Sequence, residues 1–292
     1  MSSTEQLDSL AHDEYPGPFQ AADVASVQRQ RTYRKMVLAR LVLTVAAAGF
    51  GAVQIDGLSL LPLGTAVAFV AVMALEQGEA TSRADKSWYA TRTLSESVKT
   101  LTWRYVAGAE PFPTTADNAD CDFVERISDL QQDMPDVPLS GTASTITAKM
   151  RAIRAAPLAE RKQAYLVGRL NDQRDWYANK AQQHRRQAGI LRTLMLVLEV
   201  VGIVGALGTA FLNVPVDLAG FVAAGVSALA AWNSMRQNDA TAADYARASR
   251  ELYLIRERLD RDLDEQQWSD AVADAETAIS REHNMWHAHR RT

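Results

Sequence analysis

Four stretches of the chain stay apolar for 17 to 20 residues at a time: Val37–Ile55, Leu58–Leu75, Thr193–Leu212 and Val216–Trp232. Only Asp56 and Gly57 separate the first two, and only Asn213–Pro215 the last two. A helix rises 1.5 Å per residue, so about 20 residues cover the roughly 30 Å of a bilayer's hydrocarbon. The pattern predicts two tight helical hairpins, each long enough to cross a membrane twice.

Flanking charge separates this reading from buried core helices. Arg29, Arg31, Arg34 and Lys35 precede the first stretch, and Arg83, Lys86 and Arg92 follow the second. Lys180, Arg185, Arg186 and Arg192 precede the third, and Arg236, Arg247 and Arg250 follow the fourth. Neither tight turn contains a lysine or arginine. That asymmetry is the positive-inside pattern, and it predicts both termini and the middle of the chain on the cytoplasmic side. One carboxylate, Glu199, sits inside the third stretch among eleven Leu, Ile, Val and Phe residues. Those residues favour insertion by about 3 to 6 kcal/mol in total, against about 3 kcal/mol for one central charge. The stretch therefore still inserts, provided that Glu199 faces protein or water. It reads either as a shallow carboxylate paired with Arg192 or Arg40, or as a pore-lining group alongside Thr44 and Gln54.

Small residues recur within the apolar stretches. Gly202, Gly205 and Gly208 are spaced by three, and Ala223, Ser227 and Ala231 by four. Such faces let helix backbones approach closely in lipid, where packing replaces the hydrophobic effect. They point to a homo-oligomer as readily as to tight packing within one chain.

Outside the apolar stretches the rhythm continues as alternating steps of three and four. Leu94, Val98, Leu101 and Tyr105 extend the first hairpin, and Tyr245, Ala248, Leu252, Ile255 and Leu259 the second. Leu166, Leu170, Tyr177 and Ala181 lie on the helix entering the third stretch. These are coiled-coil seams, and they predict long cytoplasmic helical stalks continuous with the spans. The expected fold is an all-α membrane protein with four spans. Its expected parts are a flexible leader over 1–19, a first two-transmembrane module over 20–138, and a second over 139–292 with a C-terminal helix.

Composition and motifs narrow the chemistry. A net charge of −4 over 292 residues gives no electrostatic footprint for nucleic acid. The single cysteine, Cys121, cannot form an internal disulfide and has no catalytic partner nearby in sequence. His283 and His287 have helical metal-ligand spacing, but with Glu282 they match neither common zinc order, and His283 falls on an apolar face. No phosphate-binding glycine loop, nucleophile elbow or cysteine-pair zinc signature occurs. The expectation is a non-enzyme with no catalytic residue, metal or cofactor.

Two longer motifs carry a resemblance. "SWYATRTLSESVKTLTWRYVAGAEPF", Ser87–Phe112, resembles the segment after the hairpin in one subtype of SLATT domains, with Trp88, Tyr89, Arg92, Glu96, Lys99, Trp103, Arg104, Pro111 and Phe112 matching. "YLVGRLNDQRDWYANKA" and "ETAISREHNMW" are similar to a second subtype, through Tyr165, Arg169, Leu170, Gln173, Trp176, Tyr177, Lys180, Glu276, Glu282, His283 and Trp286. SLATT domains are two-transmembrane effector modules associated with SMODS nucleotidyltransferases and SLOG sensors. The resemblance implies a bacterial inner-membrane effector of conflict or antiviral systems. Such an effector would oligomerise into a membrane-damaging pore when a separate nucleotide signal or sensor protein fires. No catalytic residues come with the family. The matching aromatic and charged positions read more readily as stalk packing and ion pairs. The alternative is a non-conducting membrane-tethered scaffold or sensor that acts through partners on its stalks.

Overall fold

The computed structural model describes residues 9–52, 60–77, 80–132, 144–212 and 218–288, with side chains over 9–50, 63–74, 87–132, 144–211 and 219–280. Every regular element described is helical. The helices are α1 (Gly17–Ala52), α2 (Leu60–Gln77), α3 (Ala80–Ala107), α4 (Ala119–Gln132), α5 (Ala148–Ala155), α6 (Leu158–Tyr165), α7 (Asp172–Leu212), α8 (Leu218–Arg236), α9 (Asn238–Leu259) and α10 (Glu265–Ala288). A π-helical turn, Leu166–Asn171, joins α6 to α7.

The chain forms two compact units that cut across its linear order. One takes residues 1–29, 86–179 and 244–292, and the other takes 30–85 and 180–243.

In the first unit most positions expected on seams are inside, and Leu101, Tyr245 and Ile255 are partly buried against them. Leu94, Val98, Leu166, Leu170, Tyr177, Ala248, Leu252 and Leu259 are buried, as are Trp268, Val272, Ala275 and Ile279 along α10. Burying a large apolar side chain contributes about 1.5 to 3 kcal/mol, so each large member of this row adds to the unit's cohesion. Within the stretch expected to be a loose leader, Leu10, Tyr15 and Phe19 are buried in the same core, and the Tyr15 hydroxyl accepts a hydrogen bond from Trp103 Nε1 at 2.9 Å. Their burial ties this part of the stretch to the core.

Local chemistry sets where these helices begin and end. Thr147 caps α5 by accepting from the Met150 amide at 3.3 Å. Asp264 does the same for α10, where the Gln267 amide donates to its Oδ1 at 2.8 Å and Gln267 Oε1 accepts from the Asp264 amide at 3.2 Å. This is a reciprocal cap. Helix α3 stops at Gly108, whose φ of 71° is left-handed. A Cβ there would come within 2.7 Å of Arg161 Nη1 and of Thr114, so both conformation and space demand glycine.

The second unit contains the apolar helices. Close approaches involving glycines join them. A Cβ on Gly49 of α1 would meet Phe221 of α8 at 2.9 Å, and one on Gly64 of α2 would meet Phe50 of α1 at 3.3 Å. A Cβ on Gly202 of α7 would meet Val222 of α8 at 3.2 Å. Among the described residues, one helical run is long and apolar enough to cross a membrane. It is Leu158–Phe211, and its apolar window is almost entirely exposed. Leu63–Ala74 is a shorter apolar helix. Of the four stretches expected to cross, Thr193–Leu212 lies in this run up to Phe211, and parts of the other three lie outside the described residues.

Candidate functional site

The residues that carry chemistry converge in the first unit, along the side of α3 that meets the run from α6 into α7. Arg92, Glu96, Lys99 and Trp103 recur every three or four residues on α3, so they share one face. Opposite them the sequence runs antiparallel. Tyr165 meets Trp103 edge-to-face at 5.9 Å, Arg169 reaches Thr100 Oγ1 at 3.4 Å, and the Arg92 guanidinium lies 6.0 Å from the Trp176 ring.

At the centre is a clasp. Arg169 donates through Nε to Glu276 Oε1 at 2.9 Å and through Nη2 to Oε2 at 2.8 Å, and the Tyr165 hydroxyl donates to Oε1 at 2.9 Å. Both charged side chains have no solvent exposure. Arg169 lies in the π turn, where one extra residue widens the coil and re-aims the side chains that follow. That turn places Leu166, Arg169 and Leu170 all inside. The fork-on-carboxylate geometry is the strong form of an ion pair, and burial makes it costly to break.

Burial governs the electrostatics here. Desolvation opposes the charge on Arg169 most strongly, but Glu276, by charge and hydrogen bond, outweighs it with help from Glu96 and Tyr165, holding the guanidinium above its ordinary range. Burial, then Glu276, raises Tyr165 well above an ordinary tyrosine. Burial pushes Tyr15 up to about 12, against the pull of Arg169 and the Trp103 hydrogen bond. Burial also lowers the Lys99 ammonium, Arg169 adds like-charge repulsion, and Glu96 and Asp172 oppose both.

A second set of contacts ties down the end of α3. Arg154 donates through Nη1 to the carbonyls of Tyr105 at 2.7 Å and Phe112 at 2.8 Å, and through Nη2 to Pro113 at 2.9 Å. The Ala107 carbonyl accepts from Arg161 Nη1 at 2.8 Å and from Trp268 Nε1 at 2.9 Å. Arg104 Nη2 reaches the Ala273 carbonyl at 3.0 Å and the Thr277 hydroxyl at 2.7 Å. Orphan carbonyls at a helix C-terminus are thus capped by cations, which the helix dipole favours.

The motif positions distribute as follows. Trp88 and Trp103 are buried, Arg92 and Glu96 form an i,i+4 ion pair, and Arg104 holds α10. Trp176, Tyr177 and Tyr245 form an aromatic trio with centroids 5.3 to 5.7 Å apart. Glu276 is the centre of the clasp. The side chains of Glu282, His283 and Trp286 lie outside the described residues, as does Gln54. In the second unit Thr44 is exposed, with its hydroxyl bonded to the Arg40 carbonyl at 2.9 Å, and Glu199 is exposed. Arg192 pairs with Asp239 at 3.6 Å. Gly202 packs on Val222, Gly205 is half-buried, and a Cβ on Gly208 would meet nothing within 4 Å. Ala223, Ser227 and Ala231 are exposed. No cluster able to hold a metal occurs among the described residues.

Residues 16–162 match the family described as "SMODS and SLOG-associating 2TM effector domain 3", and residues 165–286 match "SMODS and SLOG-associating 2TM effector domain 1". The chain belongs to the SLATT family. No curated protein and no solved structure matches it. SLATT domains are membrane-associated two-transmembrane effector domains of conflict and antiviral systems, and they are not a known enzyme family. The two SLATT matches follow one another in sequence, yet their motif residues interleave in space. Trp103 and Arg104 of the first contact Tyr165 and Thr277 of the second.

Sequence reasoning missed Tyr15, Arg154 and Arg161. Tyr15 follows a polar, acidic opening, and the two arginines flank Pro157 in a stretch with no motif. Nothing local signals the Trp103 indole that meets Tyr15, or the distant Tyr105 and Ala107 carbonyls that accept from Arg154 and Arg161.

Proposed function

We propose that this chain is a pore-forming effector of the bacterial inner membrane, with both hairpins inserted as four spans, both termini cytoplasmic, and several copies assembled around a conducting path. A separate sensor protein or nucleotide signal switches it on, and the helical first unit is the part that receives that partner.

The observation that carries this reading is Glu199. It is exposed on α7 beside Leu196 and Val200, which are also exposed. It lies six residues into the apolar stretch that begins at Thr193, about 9 Å along the helix axis. A carboxylate facing lipid costs about 3 kcal/mol at the bilayer centre, and at this shallower depth it still carries a penalty. Water or another copy of the chain removes that cost, and a lumen supplies both. Exposed Val42, Val67, Phe69, Val70 and Phe211 in the same unit form the apolar surface that lipid covers.

The test is purified full-length protein in sealed vesicles holding a potassium gradient, alongside a membrane-potential dye in cells induced to express it. Conduction dissipates both. Vesicles that keep their gradient, together with cells that keep their potential, reject the pore and leave the tethered scaffold.

A further inference from the structure

Four positions on α7 share the exposed face of Glu199: Leu196, Ile203, Ala206 and Ala210, at offsets of three, four, seven and eleven residues. This spacing is one helical stripe, and Glu199 is its only ionisable member.

The competing charges sit elsewhere. The four apolar stretches contain one cation, Arg40, and two carboxylates, Glu199 and Asp217. Packing on α8 fixes the relative depth of Arg40 and Glu199. Gly49 of α1 and Gly202 of α7 approach Phe221 and Val222, adjacent residues of α8, so they lie at nearly one level. Arg40 is nine residues before Gly49, about 13 Å, and Glu199 is three before Gly202, about 4.5 Å. Arg40 therefore lies about 9 Å nearer the basic end. Side chains tilt towards a helix N-terminus, and both N-termini lie at that end. The arginine is thus carried further out than the carboxylate. Arg192, at the same rim, is engaged by Asp239.

We infer that the Leu196–Glu199–Ile203–Ala206–Ala210 stripe lines the conducting path, and that a ring of Glu199 carboxylates makes the path select cations over anions. This rests on the pore reading above. Rings of acidic side chains attract cations and repel anions in proportion to fixed charge, and here no cation of the apolar stretches shares their depth.

The experiment measures the potassium-to-chloride permeability ratio from the zero-current potential of the full chain in planar bilayers under a tenfold potassium chloride gradient. The wild type prefers potassium, Glu199→Asp keeps that preference, Glu199→Gln loses it while still conducting, and Glu199→Lys inverts it. A Cys121→Ser, Glu199→Cys chain provides a second route: a negatively charged thiol reagent restores potassium preference and a positively charged one reverses it. Chloride preference in the wild type, or an unchanged ratio in conducting Glu199→Gln, overturns the assignment. A wild type that never conducts fails earlier and differently, because it removes the pore itself.

Discussion

Replacing Glu276 with alanine deletes the carboxylate bonded to Arg169 and leaves a fully buried guanidinium whose remaining side-chain acceptor among the described residues is Thr100 Oγ1 at 3.4 Å. The substitution also strips the Tyr165 hydroxyl of its acceptor. Breaking a buried ion pair from one side costs about 3 to 5 kcal/mol, since an uncompensated charge stays behind. The orphaned hydroxyl adds about 1 to 3 kcal/mol. Against a typical domain stability of about 5 to 15 kcal/mol, this is a large fraction. Together about 4 to 8 kcal/mol, these losses should lower the midpoint of thermal unfolding in detergent by roughly 8 to 32 °C. Tryptophan emission is the matching local probe, because Trp103 and Trp268 are buried on either side of Tyr165, at 5.9 and 5.7 Å. It should shift to the red as the seam loosens. The double variant Arg169→Met, Glu276→Leu removes both charges together and should recover most of the loss, since the desolvation penalty disappears with them. A Glu276→Ala protein within about 1 kcal/mol of wild type, or a double variant no better than the single one, would falsify the clasp as the centre of the fold.

Three further outcomes follow from the same geometry. Trp103→Phe keeps the packing on Tyr165 but loses the 2.9 Å bond to Tyr15, and chemical denaturation should register about 1 kcal/mol. In the second unit, Gly49→Leu forces a side chain onto Phe221 and should destabilise by about 1 to 3 kcal/mol, whereas Gly208→Leu meets open space within the chain. Equal thermal shifts for the two would contradict this packing. Alkaline titration should be late. Burial pushes Tyr15 up to about 12, burial and then the hydrogen bond to Asp120 raise Tyr105, and burial and then Glu276 raise Tyr165. The folded chain therefore keeps protons that the unfolded chain releases near pH 10. Stability is full below that pH and falls as pH rises towards 12, with phenolate absorbance from these three appearing only as helical circular dichroism is lost.

Much of this was legible from periodicity because burial along a helix leaves a repeat of three and four that survives in a single sequence. Leu94, Val98, Leu252 and Leu259 follow that repeat, and each is inside. The aromatic and charged motif positions Trp88, Trp103, Trp176 and Glu276 came from the resemblance to SLATT domains, not from periodicity. Their partnerships were not legible. Arg169 meets Glu276 across 107 residues of sequence, and only the π turn aims it there. A helical repeat carries phase but says nothing about an extra residue in one turn. Tyr15 was hidden for another reason: its neighbours are polar and acidic, and composition over a window outweighs one buried ring. In the apolar stretches small-residue spacing marked Gly202 and Gly208 alike, though of the two only Gly202 meets a neighbour among the described residues. Spacing records which side chains are small and not which side of the helix is occupied.

The interleaving of the two SLATT matches has a consequence for how such a chain arises and what it tolerates. A cut between residues 162 and 165 divides the matches cleanly but separates Trp103 from Tyr165 and Ala107 from Trp268. Neither fragment inherits a finished interior, so recombination that exchanges one half for a relative's imports a mismatched set of knobs and carbonyls. The fusion also fixes the stoichiometry, because each polypeptide delivers one half of each kind in a fixed pair. Divergence in either half is then constrained by the other, and the two must change in step.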